Sequence, residues 1–304
     1  MLLAGVALAM SGCAPPAPTI AASASPPTAT PLVIGETFHL DSRVLGERRV
    51  INVYLPPGYA EGTTRYPVLY LLDGGIKEDF PHITGLIDVS IKNEVIRPFV
   101  VVGIENTERR RDLVGPTTVA EEQQAAPHAG GADRFRQFLR AELKPAVAAR
   151  YRVTPESALI GESLAGLFVV ETLLAAPDLF DTYIAVDPST WWNHQAVVRG
   201  AAERLRAWTT TAAGAAGSTA VPPGVARGDE ARSRTLYVAT ADAPEMKAGA
   251  EILAAAIRDV QPPGLAWHYQ PLPEEHHGTI FPVAALKAFR ALFASRPTSG
   301  SQSE

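Results

Sequence analysis

From Leu32 onward the chain breaks into short apolar runs separated by polar turns, and the runs follow two different periods. Compact or alternating apolar stretches predict about eight strands, at residues 36–40, 49–55, 67–72, 98–104, 157–161, 182–186, 235–240 and 265–270. Over 132–149, 164–175, 246–260 and 282–295, apolar residues instead recur every three or four positions, the spacing of a helix with one buried face. Strands that alternate with helices predict an α/β fold on a mostly parallel sheet, with the first two strands as an antiparallel start.

Two connections are long. Residues 105–131 form a polar loop that carries Arg109-Arg110-Arg111 and leaves the carboxyl end of a predicted strand, which is where open α/β sheets bind ligands. Residues 209–234 are an Ala, Gly, Pro and Thr stretch of low complexity that reads as a disordered insertion.

Composition adds the frame. A chain of 304 residues that is 46% hydrophobic supports one sizeable core, expected over 32–296 with a short disordered tail at 297–304. A formal charge of −5 argues against a nucleic-acid partner. Residues 2–10 are apolar but too short to span a bilayer, and they run into Ser11-Gly12-Cys13. Small residues before a lone cysteine read as a lipoprotein signal, with Cys13 the lipidated residue and an intrachain disulfide excluded. The alternative is an ordinary cleaved signal peptide. Residues 14–31, rich in Ala, Pro, Ser and Thr and without charge, read as an extended tether. The expected location is the cell envelope, on the periplasmic face of a membrane reached through the lipid anchor.

Candidate chemistry centres on Gly161-Glu162-Ser163-Leu164-Ala165-Gly166, a serine among small residues where an apolar strand gives way to a helical pattern. Small neighbours let strand and helix approach closely around a strained turn that exposes the hydroxyl, the arrangement called a nucleophile elbow. A pattern this short arises readily by chance, so its context carries the weight. An activated serine needs a general base, and the base needs an acid that holds its tautomer.

Both follow in the order nucleophile, acid, base. After the strand at 235–240 come Asp242 and Glu245, two carboxylates in one turn, with Glu245 favoured because it sits directly before a helix and Asp242 suits a turn or cap. After the strand at 265–270 comes His276-His277-Gly278-Thr279; of the seven histidines, His277 is favoured because Gly and Thr suit a turn that presents a side chain. Asp187, at the end of another strand, reads as a capping or surface-pairing residue. The oxyanion donors expected are the N–H of Leu164, directly after the nucleophile, and that of Gly75 in the loop Leu71-Leu72-Asp73-Gly74-Gly75. No cysteine or histidine spacing suits zinc and no phosphate loop is visible, so neither metal nor organic cofactor is expected.

Several blocks in order resemble the Putative esterase family of α/β hydrolases, which includes esterase D, the feruloyl esterases and the siderophore trilactone esterases. They are Tyr54-Leu55-Pro56-Pro57-Gly58-Tyr59, the run from Tyr66 to Gly74, the elbow, Pro188-Ser189-Thr190-Trp191-Trp192-Asn193 and His277-Gly278-Thr279. The resemblance covers about residues 38–293 apart from the 209–234 stretch. It implies an α/β-hydrolase fold with an eight-stranded, mostly parallel sheet. It also implies a serine esterase acting through an acyl-enzyme on a small ester, with Ser163 as nucleophile, His277 as base and an acid within the 242–245 turn.

Ala165 stands where many members have glycine, and Asp187 where relatives often have serine. Trp191 and Trp192 are candidate substrate contacts, one ring for the pocket and one for the core. Arg111 is the candidate to meet an anionic or catecholate group, against the ordinary reading of a solvated charge run. The competing functions are acyl transfer by the same triad and a tethered binding protein without catalysis.

Overall fold

The computed structural model describes residues 29–216 and 233–295. Cys13 and its signal, nearly all of the predicted tether, residues 217–232 and the 297–304 tail lie outside them. The strands and helices all fall in the unit that begins at Ile34.

The chain runs β1 (Glu36–Ser42), β2 (Glu47–Tyr54), β3 (Tyr66–Leu71), α1 (Phe80–Lys92), β4 (Val100–Ile104), α2 (Arg109–Asp112), α3 (Ala120–Ala125), α4 (Ala132–Phe138), a π-helical stretch (Leu139–Leu143), α5 (Lys144–Arg150) and β5 (Val153–Glu162). It continues through α6 (Leu164–Ala175), β6 (Thr182–Val186), α7 (Trp192–Arg199), α8 (Ala201–Ala216), β7 (Arg234–Thr240), α9 (Pro244–Val260), β8 (Leu265–Pro271) and α10 (Ile280–Leu292). All eight predicted strands are present, and they form one sheet in the order β1-β2-β4-β3-β5-β6-β7-β8. The expected antiparallel start holds: β2 pairs antiparallel with β1 and with β4, and every later pairing is parallel.

Two differences from the sequence reading have plain causes. The helix predicted over 132–149 is continuous but passes through a π-helical stretch at Leu139–Leu143, a local widening that the three-to-four spacing of apolar residues does not reveal. The segment read as an insertion from 209 is helical to Ala216, because α8 carries on from Leu205, which is buried against the core.

Helices cover both faces of the sheet. Ile83 and Ile87 of α1 pack with Ala284, Ala288 and Phe289 of α10 on one face. The other face holds Phe135, Leu167, Phe168, Val198, Leu205, Ala250 and Leu253, from α4 and α6 to α9. Helix α6 is apolar apart from Glu171 and Thr172, as suits a helix surrounded by protein, and Leu164 through Leu174 are buried without exception. Strands β3 and β5 are neighbours although β4 lies between them in sequence, so the chain changes winding direction there. The crevice at the carboxyl ends of such a pair is the natural ligand site of an open α/β sheet. No described helix is long and apolar enough to cross a membrane.

Candidate active site

Ser163 sits between β5 and α6 with φ 61° and ψ −121°, a left-handed backbone that costs a non-glycine residue energy and holds its side chain out of the turn. The close approach that this turn demands is visible at Gly161, where an added Cβ would lie 2.6 Å from the Cβ of Ala165. The extra methyl of Ala165 is therefore accommodated because its neighbour across the turn has no side chain.

The segment after β6 is stitched to this elbow. Val186 O accepts the Ser163 N–H at 3.0 Å, Ser189 N–H donates to Ser163 O at 2.9 Å, and the two hydroxyl oxygens of Ser163 and Ser189 lie 3.2 Å apart. Within that segment Asp187 is fully buried with φ 40°. Its Oδ2 meets His277 Nδ1 at 2.6 Å and its Oδ1 accepts the Ala241 N–H at 2.9 Å. The carboxylate of Asp187 thus ties His277 to the segment that is bonded to the elbow at Val186 and Ser189. The Asp187 bond raises the imidazole above its ordinary value of 6.5, against the desolvation that would lower it, and the nearby Glu162 carboxyl pulls in the same upward direction.

This geometry corrects the expected acid. Asp242 and Glu245 both stand exposed at the start of α9, and His277 is bonded to Asp187 instead. Strands β6 and β7 are adjacent and end at the same edge, so either following turn can reach the histidine loop. The turn after β7 contributes a backbone N–H, that of Ala241, which fixes the Asp187 carboxylate. The signal in the sequence was Asp187 itself, placed directly after an apolar strand and before Pro188.

The oxyanion side differs as well. Leu164 is the first residue of α6, so its N–H has no acceptor within the helix and lies at the positive end of the helix dipole, directly after Ser163. Gly75, the other expected donor, already gives its N–H to Glu78 Oε2 at 2.7 Å. It can serve an oxyanion only after that carboxylate lets go. Two acids near the elbow carry altered affinities for protons. Burial, with Asp79, Asp187 and Asp73 near by, pushes the Glu162 carboxyl up to about 7 even though His277 works against the shift. Burial, with Asp73 and Glu78 adding to it, likewise pushes Asp79 up to about 7.

The sequence model of the Putative esterase family matches residues 42–239. The chain belongs to that family. Among its relatives, the ferri-bacillibactin esterase BesA of Bacillus subtilis is 32% identical over 174 residues, 50% of this chain and 58% of that protein. The siderophore triacetylfusarinine C esterase of Aspergillus fumigatus is 31% identical over 194 residues, 58% of this chain and 62% of that one. The matches thus span less than two thirds of either curated relative. The crystal structure of an IroE-like serine hydrolase from Shewanella oneidensis superposes with a TM-score of 0.72 at 27% identity, over 85% of this chain and 80% of that one. The fold is that of the α/β hydrolases.

The remaining expected contacts of this Putative esterase member separate cleanly. Trp192 is buried and its Nε1–H donates to Gly115 O at 3.1 Å, so it belongs to the core. Trp191, two residues after Ser189, is 36% exposed. Arg111 is corrected: its guanidinium pairs with Glu47 at 2.7 Å and with Asp112 at 2.7 Å, which commits its donors to the protein. The arginine beside the elbow is Arg109, which bonds Asp73 through Nε at 2.8 Å and Nη2 at 2.7 Å. Among the described residues, no group of three or more His, Cys, Asp or Glu side chains is placed to hold a metal ion.

Proposed function

We propose that the protein is a serine hydrolase of carboxylic esters that works through Ser163, His277 and Asp187. The observation that carries this reading is the Asp187–His277 hydrogen bond on a segment tied at both ends to a strained nucleophile turn. The Ser163 hydroxyl rotates from Ser189 toward the imidazole and attacks the ester carbonyl as His277 takes its proton. Asp187 holds the Nδ1–H tautomer and stabilises the imidazolium. The Leu164 N–H stabilises the oxyanion, and collapse of the tetrahedral intermediate expels the alcohol, which leaves with the proton from His277. Water activated by the same histidine then releases the acid from the acyl-enzyme.

The names of the relatives favour a siderophore ester as substrate, and the exposed ring of Trp191, two residues after Ser189, suits an aromatic acyl group. The deciding experiment combines active-site labelling by a fluorophosphonate with a hydrolysis panel of short acyl, feruloyl and siderophore esters. Wild type is expected to label and hydrolyse, and Ser163→Ala to do neither. A folded wild type that does not label, or a Ser163→Ala variant that labels equally, refutes the proposal. The segment ending in Ser11-Gly12-Cys13 supports export and lipid anchoring at Cys13, for which the test is metabolic labelling with palmitate; equal incorporation into Cys13→Ser would refute it.

A further inference from the structure

We infer that Arg109 is a positioning residue that locks the loop after β3 onto the peptide bond preceding the nucleophile. The inference rests on the serine-hydrolase reading above. Arg109 opens α2, on the loop that leaves β4, and β4, β3 and β5 are consecutive in the sheet. Its side chain therefore reaches across the end of β3 to that of β5. Two parallel bonds run from Nε and Nη2 to the two oxygens of Asp73, and Nη2 also donates to Glu162 O at 3.3 Å.

That carbonyl and the Ser163 N–H belong to one peptide unit, whose N–H is held from the other side by Val186 O. The guanidinium thus fixes the plane from which Ser163 departs. On its other side Arg109 holds Asp73, a non-glycine residue at φ 51° whose strained backbone is kept in place by its side-chain bonds together with the Asp79 N–H on its carbonyl. The restraint extends further: Asn106 Nδ2 donates to Asp73 Oδ1 at 2.5 Å and to Glu78 Oε1 at 3.0 Å, and Glu78 Oε2 holds the Gly75 N–H. One chain of hydrogen bonds connects the nucleophile's peptide to the whole 73–78 loop, and Arg109 is its junction. A lysine keeps the charge but has no planar fork to make two parallel bonds and a third contact.

The test is steady-state hydrolysis of 4-nitrophenyl acetate by the full chain, with Arg109→Lys and Arg109→Ala beside wild type. Arg109→Lys is expected to lower kcat about 10- to 100-fold, the size of a displacement near 1 Å in a reacting group, while KM stays within about two-fold. Low, non-denaturing guanidinium chloride is expected to restore part of kcat to Arg109→Ala and to leave wild type unchanged. A folded Arg109→Lys with kcat within about two-fold of wild type overturns the inference, as does a loss of rate that vanishes when kcat is referred to titrated active sites. If Arg109→Ala does not fold, the lysine variant decides. An inactive wild type refutes the esterase reading itself, whereas an active wild type with an unaffected Arg109→Lys refutes only the role of Arg109.

Discussion

Asp187 holds a histidine with one oxygen and a backbone N–H with the other, so its carboxylate has no freedom to turn away from His277. Replacing it by Asn keeps the shape but removes the charge that favours imidazolium and admits the wrong tautomer. The expected outcome for Asp187→Asn is a fall in kcat of about 10²- to 10⁴-fold, with little change in KM. The pH profile gives a second readout. The base must be neutral to act, and Asp187 raises its pKa, so the acid limb of kcat/KM in wild type lies above 6.5 and moves to lower pH in Asp187→Asn. Glu245→Gln and Asp242→Asn should leave both rate and limb unchanged; a large loss in either, with Asp187→Asn near wild type, would return the acid to the turn after β7. Trp191→Ala should raise KM several-fold for esters of aromatic acids and spare 4-nitrophenyl acetate, since only a large acyl group can cover the ring. At this scale the strained turn at Ser163 and the loop that presents His277 were legible, because both follow from small flanking residues and turn chemistry. The partner of His277 was not legible, because two neighbouring strands end at one edge, and which carboxylate meets the histidine depends on a left-handed backbone at Asp187 that no local pattern specifies.

Elements bring the site together through one buried cation. Arg49 of β2 has a fully buried side chain, bonds Asp112 of α2 at 2.6 Å, Glu47 at 2.9 Å and Glu105 O at 2.8 Å, and lies against the rings of Phe135 and Phe138. This junction anchors the loop after β4, including Arg109 three residues before Asp112, to the antiparallel edge of the sheet. Asp112→Asn leaves a buried guanidinium short of its main counter-charge, and is expected to cost about 3 kcal/mol, or roughly 5–10 °C in Tm. Arg111 is partly solvated and leaves the Arg49–Asp112 pair intact when removed, so Arg111→Ala should cost about 1 kcal/mol or less and should not change KM. Thermal denaturation of the two variants checks both. If Arg111→Ala raises KM for an anionic ester while Asp112→Asn is harmless, the loop binds ligand and does not act as an anchor. The strands were legible because each is a short apolar run between turn residues, and so was α6, whose start is the elbow. The short helices α2 and α3 were not, since too few residues are involved for periodicity to register and their place is fixed by contacts such as Arg49–Asp112 from far along the chain.

For the whole molecule, proton linkage sets stability and activity against each other. Asp79 and Glu162, each pushed up to about 7 from ordinary values of 3.8 and 4.5, hold protons in the folded state that the unfolded chain gives up. Their stabilising contribution is complete below the ordinary carboxylate range and is lost as pH rises through about 7. His277 has the same sign, its contribution present below 6.5 and lost as pH rises through its higher folded value. Glu47, lowered by Arg111 and Arg49, and Asp178, lowered chiefly by its bond to Arg140, act oppositely, contributing above their ordinary values and weakening as pH falls. Between these limits, stability should peak on the acid side of neutrality, whereas hydrolysis, which needs neutral His277, should still be rising there. Melting curves at pH 6 and pH 8 test this, with a Tm lower by a few degrees expected at the higher pH. Asp79→Asn and Glu162→Gln should each reduce that drop, because a neutral amide has no proton to lose. Glu162→Gln should also move the acid limb of activity to lower pH, since the carboxylate helps to hold His277 protonated. A drop of equal size in all three proteins would mean that the two buried carboxyls do not set the alkaline limit of the fold.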